Sequence, residues 1–160
     1  YMAVLPRIFQ MYYGTEILMD DTENPGDHGL IRTEFPGGWN DSEVNAFTGE
    51  ELSEEKADMQ EFVKKVMNYR KNSEAIHSGE TKHFAPEDST YLITRKAGDE
   101  VLVLILNKNE EAITLDLERF SELNLEGKTF KNLISEETFQ WEDSLELSEE
   151  GVYFFTTKME

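Results

Sequence analysis

Cysteine is absent from the 160 residues, which removes disulfide staples and thiolate metal sites at once and leaves the redox compartment open. Histidine is nearly absent: His28, His77 and His83 stand apart, with no H-x-x-x-H spacing and no cysteine to complete a ligand set. Positive charge is scarce, 15 Lys and Arg against 34 Asp and Glu, for a net charge of −19. A chain so acidic is repelled by phosphate backbones and anionic membrane surfaces, so a nucleic-acid partner is not expected. No apolar run approaches the ~20 residues of a membrane-spanning helix. Glycine-rich phosphate loops, nucleophile elbows and zinc-protease motifs are also missing, so no cofactor and no metal are expected. What remains is a composition of 38% hydrophobic residues, enough for one core or for a small domain with part of another. The acidic residues are scattered along the chain, as on a solvated surface.

The most informative stretch is Pro6 to Trp39. From Ile8 to Tyr13 the residues I-F-Q-M-Y-Y are apolar consecutively, which predicts a strand buried on both faces, as in parallel sheets. Gly14 ends it. A long loop follows, with turns at Asn24-Pro25-Gly26 and Phe35-Pro36-Gly37-Gly38, and loops of that length are commonly functional. The acidic run Asp20 to Asp27 offers oxygens to a hard cation, but the spacing fails. Counted from Asp21, the fifth position of a calcium loop is Pro25 and the twelfth is Arg32.

The segment Pro6-Arg7-Ile8-Phe9-Gln10-Met11-Tyr12-Tyr13-Gly14-Thr15-Glu16-Ile17 resembles the eighth barrel strand of the alpha-amylase superfamily, glycoside hydrolase family 13, within it the neopullulanase and cyclomaltodextrinase-like enzymes. Asp27-His28-Gly29-Leu30-Ile31-Arg32 and Phe35-Pro36-Gly37-Gly38-Trp39 are similar to the loop that follows that strand. A barrel of eight strand-helix units needs roughly 250 residues, so the resemblance implies a C-terminal fragment. It also implies that the family's three catalytic carboxylates, an Asp nucleophile, a Glu acid/base and a stabilising Asp, precede Tyr1. No catalytic residue is therefore expected in this chain, and it should be inactive alone. The compartment stays open; many bacterial relatives are periplasmic or secreted.

Tyr1 to Leu5 reads as the last turn of a helix. Residues from Ser53 to about Asn72 predict a helix: Ser53 as N-cap, Glu54 and Glu55 in the first turn, basic residues toward the end. Met59, Phe62, Val63, Val66 and Met67 share one face, expected to be buried; by resemblance it is the eighth barrel helix. Ser78-Gly79 marks the exit into a second unit. Beyond it, Tyr91 to Thr94 and Val101 to Leu106 flank a tight turn at Lys96-Ala97-Gly98-Asp99. Ile113 to Leu117, Thr129 to Leu133, Leu145 to Leu147 and Val152 to Thr157 complete the expected strands. The fold class is an α+β fragment, the remnant of the last β/α unit of a barrel (residues 1–78) followed by an antiparallel β-sandwich (residues 79–160). The uninterrupted run Val101 to Leu106 is expected at the centre of its sheet.

By resemblance, Arg32 and Asp27 sit near glucose-binding subsites, where the planar Arg32 fork suits hydroxyls or a carboxylate. Trp39 suits stacking on a sugar ring, although a Trp in such a loop more often plugs it onto a core. Strand alternation places Tyr12 and Tyr13 on opposite faces, and Glu16 falls at the strand's mouth with no partner carboxylate. Retaining glycosidases need two carboxyl groups about 5–5.5 Å apart, and nothing here selects a pair.

The expected function is therefore the C-terminal part of an alpha-glucan hydrolase acting on starch, pullulan or cyclodextrins, stabilising the barrel and supplying the eighth-strand loop. The partner is an alpha-glucan oligosaccharide, and the orphaned barrel strand is expected to pair with a second copy in a homodimer. The competing readings are a stand-alone carbohydrate-binding module using Trp141, Phe139 and Tyr153, and a structural domain that self-associates.

Overall fold

The computed structural model describes residues 1–20, 26, 33–39 and 43–159. Among them are two α-helices, α1 (Glu54–Asn72) and α2 (Glu74–Ser78). Eight strands follow: β1 (Glu80–His83), β2 (Thr90–Ala97), β3 (Glu100–Asn107), β4 (Ile113–Asp116), β5 (Thr129–Asn132), β6 (Thr138–Gln140), β7 (Ser144–Leu147) and β8 (Gly151–Thr156). The chain divides into two compact units, Phe9–Met67 and a larger one of Tyr1–Ile8 with Asn68–Glu160, so that α1 runs across the division.

In the larger unit all pairings are antiparallel, in a six-stranded sheet of order β1-β2-β3-β8-β5-β6 and a two-stranded sheet β4-β7. The run Val101 to Leu106 is central, as its composition predicts: β3 pairs with β2 and β8, and Leu102 to Ile105 are at most 1% exposed. Its hairpin with β2 turns on Gly98 and Asp99, with Ala97 opposite Glu100. Gly98 adopts φ +56°, which a two-residue hairpin favours and a Cβ opposes.

Period-two alternation then divides the side chains. Leu92, Val101, Val103, Ile105 and Phe155 turn to one face and pack with Leu115 and Leu147 of the small sheet, around Phe120, Phe130 and Trp141. On the opposite face, Phe154 of β8 meets the Tyr69 ring edge-on at 5.6 Å, and Ile93, Leu102 and Leu104 are buried. Tyr153-Phe154-Phe155 thus serves both faces, as alternation requires. Edge strand β1 is polar, and β6 is only three residues long, both of which limit pairing with other chains.

Helix α1 begins where Ser53 places it: the Ser53 carbonyl accepts the first helical bond, from Ala57 N at 2.9 Å. Its apolar face is shielded less than expected. Val66 is buried, whereas Met59, Phe62, Val63 and Met67 are half-buried. Residues 2–4 form a single 3₁₀ turn with Val4 buried. The Arg70 guanidinium holds it, donating to the carbonyls of Ala3 (2.6 Å), Leu5 (2.9 Å) and Arg7 (2.7 Å).

The strand expected over Ile8 to Tyr13 is not formed. Residues 8–12 carry no regular structure, Ile8 is fully exposed, and a 3₁₀ turn follows at Thr15–Ile17. A strand exists only where neighbours satisfy its N–H and C=O groups, and no ladder partner stands beside these residues among those described. Tyr12 and Tyr13 show the same departure: their rings lie 4.7 Å apart, where strand alternation would send them to opposite faces.

Candidate functional site

The sequence-predicted ligand loop lies in the smaller unit, and its parts meet different fates. Asp27, Arg32, His28 and most of the acidic run 20–27 lie outside the described residues. Trp39 is described, and it does not plug the loop onto a core: it is 67% exposed. Its indole passes beside Gly37, within 3.4 Å of where a Cβ there would sit, so a side chain at that position would crowd the ring. Beneath it, Gly37 bridges to Asn45, and Ala46 N donates to Pro36 O at 2.8 Å. The Asn45 side-chain oxygen accepts from Phe47 N (3.0 Å) and Thr48 N (3.3 Å), setting a local turn. Gln60 of α1 donates to Ala46 O at 2.8 Å, tying that turn to the helix. Phe35 packs on Phe47 at 5.4 Å between ring centroids.

Tyr13 reaches across by its hydroxyl to Thr33 O at 2.8 Å. Tyr13, Thr33, Glu34, Phe35 and Trp39 then line a shallow, open concavity. An aromatic floor with a carboxylate at its rim can stack on the apolar face of a sugar and accept from its hydroxyls. Glu16, expected at a strand mouth, sits in the 3₁₀ turn instead. Its Oε2 is buried and has no hydrogen-bond partner among the described residues. No group of acidic or histidine side chains fit for a metal ion is present among the described residues.

In the larger unit, two charges on neighbouring strands hold α2, Arg95 buried and Glu100 half-buried. Glu100 of β3 accepts from Ser73 Oγ (2.6 Å), Tyr69 OH (2.9 Å), Glu74 N (3.0 Å) and Ala75 N (3.3 Å). Burial pushes the Glu100 carboxyl up, but the donated bonds from Ser73, Tyr69 and Ala75, with the Lys158 charge, outweigh it and hold it below its usual value. Burial, with the Glu100 charge adding to it, raises Tyr69 beyond the usual phenol range against opposing bonds from Thr156 and Ser73, so it remains a donor. At the other end of α2, Arg95 of β2, 2% exposed, donates to Ala75 O (3.0 Å), Ile76 O (2.8 Å) and Thr81 Oγ1. Ile76 O is among the carbonyls that a helix end leaves without an internal partner, whereas Ala75 O also accepts from Gly79 N at 3.1 Å. Burial lowers Arg95, and the charge of Arg70 adds to it. Gly79 closes the turn: a Cβ there would strike the carbonyl oxygens of Ala75 and, at 2.7 Å, Lys96. This is a structural clamp that sequence reading misses, because charges in a strand pattern read as solvated.

The aromatics proposed for a carbohydrate-binding face separate. Trp141 is 3% exposed and packs at a tilt against Phe130, with ring centroids 5.4 Å apart, so it belongs to the core and offers no platform. Its backbone is fixed by bonds from its N to Lys128 O and from Gly127 N to its O, both 2.9 Å, which turn the ring inward. Phe139 and Tyr153 are half-buried and line a groove at the open end of the two sheets, with Asn132, Glu137, Glu146 and Phe155. Neighbouring rings support both: Phe139 to Phe155 at 4.8 Å and Tyr153 to Phe155 at 6.2 Å.

Residues 81–156 match the family described as Cyclo-malto-dextrinase C-terminal domain. Among solved structures, the chain is similar to an Anoxybacillus alpha-amylase, with 20% identity, a TM-score of 0.65, and coverage of 98% of this chain and 30% of that one. It is similarly related to the alpha-amylase of Geobacillus thermoleovorans complexed with acarbose, with 19% identity, a TM-score of 0.64, and coverage of 98% and 31%. AmyP in complex with maltose matches with 16% identity, a TM-score of 0.58, and coverage of 73% and 24%. At these identities the likeness is one of fold, and the chain spans under a third of the length of each of these proteins.

Proposed function

We propose that this chain, whose residues 81–156 match the family described as Cyclo-malto-dextrinase C-terminal domain, is the C-terminal part of an alpha-glucan hydrolase. Residues 1–78 are then the end of the catalytic barrel, with the eighth-strand loop and α1 as its eighth helix. Residues 79–160 are the β domain that steadies it. The observation that carries this reading is the reach of the fold likeness, 98% of the chain for two alpha-amylases, which takes in the residues ahead of the β domain. The substrate is an alpha-glucan such as starch, pullulan or a cyclodextrin; the similar proteins hold acarbose and maltose. Arg32 and Asp27 bind sugar hydroxyls, and Trp39 supplies a stacking face. The catalytic carboxylates come from elsewhere in the barrel, so the 160 residues alone release no reducing sugar from starch. Hydrolysis by the chain alone would overturn this assignment.

In the polypeptide that carries the barrel, Arg32→Ala is expected to lower kcat/KM on maltooligosaccharides by roughly tenfold or more, the loss of a charged hydrogen bond. Unchanged kinetics would remove Arg32 from the site. The exposed apolar residues Ile8, Met11, Tyr12 and Tyr13 support the same reading, since an apolar surface of this kind calls for a cover such as the rest of a barrel would supply. When the chain stands alone we propose that a second copy covers them. Light scattering should then give about twice the 18.5 kDa chain mass, persisting on dilution; a mass of one chain would refute the dimer.

A further inference from the structure

We propose that the groove between β6, β7 and β8 is a second sugar site, carried by the β domain itself and taking a neutral α-glucan oligosaccharide. This rests on the alpha-glucan reading above and adds a place within the β domain itself where such a chain is held. The floor is aromatic: Phe139, Phe155 and Tyr153 form a continuous set of contacting rings. Tyr153 is fixed in advance, because its hydroxyl donates to Glu149 O (3.0 Å), accepts from Glu149 N (3.3 Å) and bonds Ser148 Oγ (3.1 Å). A ring held by its hydroxyl presents its face without losing further rotamer freedom on binding.

The rim is polar and acidic. Glu137, on the loop before β6, and Glu146, on β7, are exposed and line the groove together with Asn132. Thr114 donates to Glu146 Oε1 at 2.6 Å, which orients that carboxylate. Carboxylates accept from hydroxyls and repel anions, and the whole chain carries −19, so phosphorylated or acidic glycans are disfavoured and a neutral polyol is selected. Rings that stack and carboxylates that accept are the two groups a glucose chain needs, on its apolar face and along its hydroxyl edge.

The test is titration of the whole 160-residue chain with maltoheptaose, followed by backbone amide NMR shifts. The expected result is saturable movement centred on residues 137–139, 145–148 and 153. The double variant Glu137→Ala with Glu146→Ala, both exposed positions, should keep the spectrum of a folded chain and weaken binding roughly tenfold or more. Shifts confined to the loop around Tyr13 and Trp39 would overturn the groove while leaving the alpha-glucan assignment standing. Equal binding of cellohexaose would overturn the preference for α-linked glucose. No shift anywhere at millimolar sugar would overturn the site, whereas the proposed hydrolase role is tested separately by the Arg32→Ala kinetics.

Discussion

Arg95→Ala should destabilise the β domain by about 4 kcal/mol, the scale of a large buried side chain cut to alanine. The residue is 2% exposed on β2, and its guanidinium occupies the space between the sheet and α2. Truncation leaves a void the length of the arginine stem and removes the donor to Ile76 O, a buried carbonyl. Ala75 O keeps its bond from Gly79 N at 3.1 Å, so only part of the acceptor set is orphaned. Arg95→Met separates the two causes. It fills the void and relieves the cost of burying a charge, leaving the unpaired carbonyl, so roughly half of the loss should return. For a chain of this size the alanine variant should melt roughly 10 °C lower. Fluorescence reports it, since buried Trp141 moves into water on unfolding while Trp39 already faces solvent. A loss under about 1 kcal/mol would show that the α2 clamp carries little of the stability.

The second large effect is at Glu100, whose carboxylate gathers four donors around the start of α2. Glu100→Ala should cost about 3 kcal/mol at neutral pH. Two backbone N–H groups at a helix start lose their acceptor, and Ser73 and Tyr69 each lose one bond. Tyr69 retains Thr156 Oγ1 at 2.8 Å, which limits the damage. The effect depends on pH with a definite sign. The folded carboxyl titrates below its unfolded value, so its contribution is complete above the unfolded pKa of about 4.3 and is lost as pH falls through the folded one. Urea unfolding of wild type and Glu100→Gln should therefore show a gap at pH 7 that narrows steadily below about pH 4.3. A gap that stays constant through the acid limb would exclude the ionised carboxylate as its source.

These two residues also mark where reading the chain as a string stops working. The β2–β3 hairpin was legible because a continuous apolar run beside a Gly-containing turn has few other solutions. The helix was legible from Ser53, its acidic first turn and its apolar stripe. Arg95 and Glu100 were not, because a charge in a strand reads as solvated until the partner element is known, and α2 is too short to announce itself by periodicity. Polar β1 escaped notice for a related reason: an edge strand paired on one side needs no apolar alternation. Residues 8–13 erred in the other direction, since apolarity predicts burial but only a neighbouring ladder makes a strand. The two tryptophans part ways. Trp39, weighed between a sugar platform and a plug for its loop, faces solvent, and Trp141, a candidate only in the competing binding-module reading, lies in the core. Which way a ring points depends on local packing and hydrogen bonding that residue identity does not reveal. With Trp141 inside, Phe139 and Tyr153 are left at the open end of the sheets.

The place of β8 governs how this domain can be made. It is the last of the eight described strands and lies inside the six-stranded sheet, between β3 and β5. While the ribosome is still translating the segment before Gly151, β1-β2-β3 and β5-β6 can each pair, but as two half-sheets with raw interior edges. Closure is vectorially delayed until residues 151–156 emerge, and at that moment Phe154 and Phe155 enter both faces together. A premature stop before that point yields a product with two open edges and an exposed core, which chaperones and proteases recognise as unfinished.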